Sequence, residues 1–104
     1  MKWLRDTERR PTHPGAILRE DVLPALGITQ AKLAELLGVS RLTVSQILNQ
    51  HRSLSADMAM RLEKLLGGSA ESWMRMQEAV DLWEARPRPE RFARIDRLPE
   101  SAVA

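Results

Sequence analysis

The stretch TQAKLAELLGVSRLTVSQILN, residues 29–49, decides the fold. Leu33 and Leu37 share one side of a first helical run, and Val44, Ile47 and Leu48 share one side of a second. Thr29 and Ser40 stand where each run needs a side-chain oxygen to accept its free N–H groups. Two helices cross closely only over a small residue, which Ala34 supplies. A reversal of the chain within about three residues needs a residue that tolerates positive φ, which Gly38 supplies, and Val39 plugs the turn. The spacing predicts a helix-turn-helix; an ordinary helical hairpin would show the same apolar stripes.

The opposite face of the second run separates the two readings. With successive residues 100° apart and Val44 at the centre of the buried side, Leu42, Ser45, Gln46 and Asn49 point outward, flanked by Arg41 and Thr43. A merely solvated helix carries Glu, Lys and Arg there, whereas this face has amides, hydroxyls, one exposed leucine and no acid. Gln and Asn pair with adenine, Arg pairs with guanine, and leucine packs on a thymine methyl. The expected base contacts are Arg41, Leu42, Thr43, Ser45, Gln46 and Asn49, with Gln46 and Arg41 foremost. Thr29, Gln30 and Ser40, at helix starts, are expected to meet phosphates beside free backbone N–H groups, with Lys32 and Arg52 adding charge. Thr29 and Ser40 are equally suited to serve as helix caps, and the two roles are compatible.

Working outward, residues 1–12 are polar and charged apart from Trp3 and Leu4 and read as a flexible arm. A first helix is expected from about Pro14 to Leu23, ended by Pro24 and Gly27. The helix-turn-helix pair follows, then a fourth helix from after Ser55 to Gly67, and a fifth opened by Ser69 and running through Ala85. No alternating β-branched or aromatic run exists to build a strand. The fold class is all-α, a five-helix DNA-binding domain over residues 13–85 with flexible termini. Arg86, Pro87, Arg88 and Pro89 cannot continue a helix, so residues 86–104 form an Arg/Pro-rich tail, either disordered or folding on a partner, with Phe92, Ile95 and Leu98 at helical spacing.

The chain has 104 residues, of which 43% are hydrophobic, enough for one modest core. Cysteine is absent, so there is neither a disulfide framework nor a thiolate site. His13 and His51 have no ligand at helical spacing, which argues against a metal site. With no Ser/His/Asp ordering and no Gly-rich phosphate loop, an enzyme is not expected. No stretch reaches the roughly 18 apolar residues of a membrane span, so the expectation is a soluble, intracellular protein without cofactors.

The net charge is only +2, but its distribution is uneven. Residues 29–54 carry Lys32, Arg41 and Arg52 against Glu35 alone, while residues 55–85 carry three basic and six acidic side chains. Such a weak excess suits a small footprint that reads bases better than a non-specific coat.

The fifth helix places Trp73, Met76, Val80 and Trp83 on one stripe, broadened by Ala79 and Leu82. The stripe either caps the core or forms a two-fold interface. Two half-sites about 34 Å apart on one face of DNA require a symmetric dimer, so the interface is the expectation for Trp73, Met76, Val80 and Trp83.

Residues 29–49 resemble the helix-turn-helix of phage Cro and repressor proteins, the lambda-repressor-like (XRE-like) class. With HPGAILRE at 13–20, SADMAMRL at 55–62, ESW at 71–73 and DLW at 81–83, the chain more narrowly resembles HigA-type antitoxins over about residues 12–85. The resemblance implies a homodimer that represses its own operon at a palindromic operator. It further implies a type II toxin-antitoxin system with a HigB-like partner, a RelE-like ribonuclease that cleaves messenger RNA on ribosomes. The recognition contacts it implies fall on the same six residues of the second run. Where many relatives turn with a glycine after this helix, the chain has Gln50 and His51, so a differently shaped loop is expected. A solitary Cro-like repressor without a toxin, and a protein-interaction module, remain the alternatives.

Overall fold

Capping chemistry sets out the helices in the computed structural model, which describes residues 9–102. Helix α1 is one rod in three segments, α-helical Pro14–Ile17, a π-helical turn Leu18–Val22 and α-helical Leu23–Leu26. It is followed by α2 (Gln30–Leu37), α3 (Arg41–Leu48), α4 (Ala56–Leu66) and α5 (Ala70–Ala85), and there is no strand among the described residues. Every helix opens on a side chain that accepts a backbone N–H: His13 from Gly15, Thr29 from Lys32, Ser40 from Thr43, Ser55 from Met58 and Ser69 from Ser72. Each such cap contributes about 1 kcal/mol.

One expected boundary is wrong. Pro24 does not end α1, which runs on to Leu26 and stops at Gly27 in the left-handed conformation. Proline lacks an N–H and crowds the carbonyl four residues back. Here the preceding turn widens so that the Leu23 N–H reaches the Leu18 carbonyl, five residues back, and Pro24 enters at the start of a fresh α-turn.

The core gathers around Leu18 of α1, Leu33 and Leu37 of α2, Val44, Ile47 and Leu48 of α3, Met58 and Leu62 of α4, and Trp73 of α5. Helix α1 packs on α3 and α5, while α2 packs on α3 and α4. The crossing of α1 with α3 is very close at Gly15, where a Cβ would lie 2.7 Å from the Ile47 carbonyl carbon and overlap its oxygen outright. Gly15 is therefore a contact surface for the end of α3.

Of the expected arms, residues 9–12 and 86–102 are described. Residues 1–8, with Trp3 and Leu4, lie outside the described residues. The described end of the arm is attached: Pro11 is buried, and Arg10 bonds both Gln50 and Glu84. Beyond α5 the chain makes single 3-10 turns at Pro89–Arg91 and Glu100–Ala102, and every residue from Arg86 to Ala102 is exposed. Phe92, Ile95 and Leu98 do not share a helix, because the 3-10 turn opened by Pro89 runs out at Phe92.

Candidate nucleic-acid interface

Helix α3 shows solvent the face its sequence predicts. Leu42 is 66% exposed, Arg41 and Asn49 are exposed, and Thr43, Ser45 and Gln46 are half-buried. Val44, Ile47 and Leu48 fill the core on the other side. Leu42 leaves most of its apolar surface open to a contact from outside the protomer.

Both ends of α3 are held. At its start, Ser40 Oγ accepts from the Thr43 N–H at 3.0 Å and lies 2.8 Å from Thr43 Oγ1. The turn before it passes through Gly38 at φ 70°, and Arg61 of α4 donates from Nη1 to the Leu37 carbonyl at 2.8 Å while its Nε donates to Asp57. Arg61 thereby satisfies an end carbonyl of α2 and puts a positive charge at the helix's negative end.

At the C-terminal end of α3, Gln50 takes φ 62°, the conformation that favours glycine. Its N–H bonds the Ile47 carbonyl at 3.0 Å, and the His51 N–H bonds the Gln46 carbonyl at 2.8 Å. This is the closure a glycine would give. Gln50 thus closes the end of α3 as a glycine would, and the non-glycine residue carries the strain. Arg10 compensates in part, donating to Gln50 Oε1 at 2.8 Å and to Glu84 of α5 at 3.0 Å. Sequence reasoning missed this bridge because it joins residues 40 and 74 positions apart.

His13 underlies the same corner. Its Nδ1 accepts from the Gly15 N–H at 2.9 Å, so the ring is neutral in this role. Burial, and then the nearby Arg10 charge, hold its pKa below the ordinary 6.5, while Glu84 and Asp81 oppose that shift. Gln77 of α5 was also missed. It is 3% exposed, accepts from the buried Leu54 N–H at 2.8 Å and donates to Asp81 at 2.9 Å, tying α5 to the loop that follows α3. A polar residue in the middle of the Trp73–Val80 stripe was the available signal, since a buried amide requires partners.

The residues expected at phosphates all reach solvent. Thr29, Gln30, Lys32, Ser40 and Arg52 are exposed; Thr29 and Ser40 serve as caps, and Lys32 lies 3.6 Å from Glu35. Arg52 lies against the face itself, with Nη1 3.3 Å from Thr43 Oγ1 and 3.4 Å from Gln46 Oε1. Asn49 Nδ2 reaches Ser45 Oγ at 3.4 Å.

The expected interface stripe on α5 needs revision. Trp73 is 9% exposed and Val80 is 1% exposed, both packed within the protomer, so neither has side-chain surface left for a partner. Helices α4 and α1 both pack on α5. Met76 and Trp83 are half-buried, and Leu82 is 46% exposed beside them.

Comparison with known proteins agrees with this geometry. The family model described as "Helix-turn-helix" matches residues 18–73. The antitoxin HigA-1 of Vibrio cholerae is 42% identical over 92 residues, covering 88% of this chain and 87% of its own length. The solved antitoxin GraA superposes with a TM-score of 0.79 at 41% identity, covering 86% of this chain and 99% of its own; its complex with its operator superposes at 0.77 and 40%, covering 92% and 98%. Pseudomonas aeruginosa antitoxin HigA, solved with higBA promoter, gives 0.76 at 38% identity, covering 88% and 99%. An all-α domain with an exposed, acid-free α3, matched in sequence and fold across most of its length, places this chain in the helix-turn-helix family of HigA-type antitoxins.

Proposed function

We propose that this chain is a sequence-specific repressor that binds its operator through α3, as the antitoxin of a HigBA-type system. The observation that carries the reading is the outward face of α3: amides, hydroxyls, Arg41 and an exposed Leu42, without a carboxylate, on a helix held at both ends. Relatives of 38–40% identity and similar fold have been solved with operator or promoter DNA, which supports the same use of this face.

In this reading Arg41, Leu42, Thr43, Ser45, Gln46 and Asn49 meet base edges in the major groove, while Thr29, Gln30, Ser40 and Lys32 meet phosphates. Ser40 and Thr29 keep their caps and donate outward through their hydroxyl protons. The chain acts as a homodimer, since one α3 covers only one half-site, and Met76, Leu82 and Trp83 are large apolar groups of α5 with surface left for its two-fold contact. Its second partner is a HigB-like toxin, a RelE-like ribonuclease, which it neutralises by binding. The role is binding rather than catalysis, and its place is the prokaryotic cytoplasm, on the nucleoid; among the described residues no helix is long and apolar enough to cross a membrane.

Two alanine variants test the DNA half. Gln46→Ala and Arg41→Ala each weaken operator binding by about 1–3 kcal/mol with unchanged helix content. Operator affinity equal to wild type in both would show that the reading face is elsewhere. Co-purification with the product of the adjacent gene tests the toxin half, and a neighbouring toxin gene whose product does not bind would leave a solitary repressor.

A further inference from the structure

Arg52 lies beyond the end of α3, yet the turn through Gln50 and His51 folds the chain back so that its guanidinium reaches the reading face. The same Nη1 donates to Gln46 Oε1 at 3.4 Å and to Thr43 Oγ1 at 3.3 Å. Thr43 Oγ1 also lies 2.8 Å from Ser40 Oγ, so its hydroxyl is held between the cap of α3 and the arginine. A guanidinium has five donors and no acceptor. It can face only the oxygen of a side-chain amide, and it thereby decides which end of Gln46 is turned away from it.

We propose that Arg52 is a specificity-determining residue of the DNA site, one that fixes the Gln46 amide with its oxygen against the protein and its NH₂ directed to the major groove. This rests on the reading of α3 as the base-reading helix. A free glutamine amide flips and presents either a donor or an acceptor, whereas a pinned one leads with donors. At the base pair under Gln46 it favours an acceptor edge, namely guanine O6 or N7, adenine N7 or thymine O4, and discriminates against the N4 amino donor of cytosine. A plain phosphate contact by Arg52 would carry no such preference, because phosphates are the same at every step.

Selection from a randomised duplex library separates the two roles, using the full chain as wild type, Arg52→Ala, Gln46→Ala and the double variant. Arg52 is exposed, so its truncation opens no cavity, and far-UV circular dichroism checks that each variant is folded. Arg52→Ala is expected to lose roughly tenfold discrimination against cytosine at one base pair, the same one that Gln46→Ala degrades, with little change elsewhere. The double variant is expected to be no less selective there than Gln46→Ala alone. Uniform weakening at all positions, with a salt slope smaller by about one, would overturn the proposal in favour of a phosphate contact. Loss of preference at a base pair that Gln46→Ala leaves intact would overturn it as well. A wild-type chain that selects no motif would contradict the DNA-binding reading itself, a result distinct from either.

Discussion

Gly15→Ala is the sharpest perturbation of the frame that presents α3. The added methyl would overlap the Ile47 carbonyl oxygen and sit 2.7 Å from its carbon, where ordinary contact is about 3.4 Å or more. The obstacle is backbone, and it cannot rotate away. The Ile47 carbonyl is also occupied, accepting from the Gln50 N–H that closes the end of α3. Helices α1 and α3 must therefore separate by about 1 Å, loosening the cluster that holds Leu18, Ile47 and Leu48 in a core packed to crystal-like density. Overpacking alone costs about 1–3 kcal/mol and the loosened core adds to it, so roughly 3–4 kcal/mol is expected. For a domain of this size that is a large share of the total stability, and it lowers Tm by roughly 15–25 °C. Urea and thermal unfolding followed by circular dichroism measure it. Gly27→Ala is the control: its added Cβ meets nothing within 4 Å, and only its φ of 65° is strained, so about 1 kcal/mol is expected. Equal losses in the two variants, or a Gly15→Ala loss below about 1 kcal/mol, would refute the close crossing.

The neutral, buried His13 makes stability depend on pH. Its folded pKa is below the ordinary 6.5, so the unfolded chain binds the proton more readily; the contribution is present above that value and is lost as pH falls toward the folded pKa. Tm is expected to drop between pH 7.5 and 5, and His13→Asn, which keeps an acceptor for the Gly15 N–H, should flatten part of the drop; parallel curves would contradict this. Gln77→Leu preserves volume but strands the buried Leu54 N–H, for a loss of about 1–3 kcal/mol in urea unfolding, and a neutral result would mean that water replaces the amide. At Gln50, glycine should be more stable than alanine by about 1 kcal/mol, since both lose the Arg10 bond and only alanine keeps the positive-φ strain; equal values would place the strain elsewhere.

The sequence carried what is local and periodic. Leu33, Leu37, Val44, Ile47 and Leu48 are buried as their spacing requires, Gly38 turns the chain, and Thr29 and Ser40 cap, because each follows from residues within one or two turns of helix. What was not legible comes from pairing over distance. The Arg10 bridge, the Arg61 cap on α2 and the Gln77 bond to Leu54 each join residues at least 23 positions apart. The burial of Trp73 and Val80 depends on the helices that pack on α5, α4 and α1, which no property of α5 itself declares. Pro24 misled because a proline ordinarily stops a helix, and a π-turn is a rare way around it.

Whether α3 reads a specific DNA sequence is measured by titrating the purified protein against DNA from upstream of its own gene and against a scrambled duplex, at two salt concentrations. A preference of roughly a thousandfold or more for the upstream DNA is expected, with affinity falling as salt rises. Equal affinity for both duplexes, or no binding to either, would contradict it.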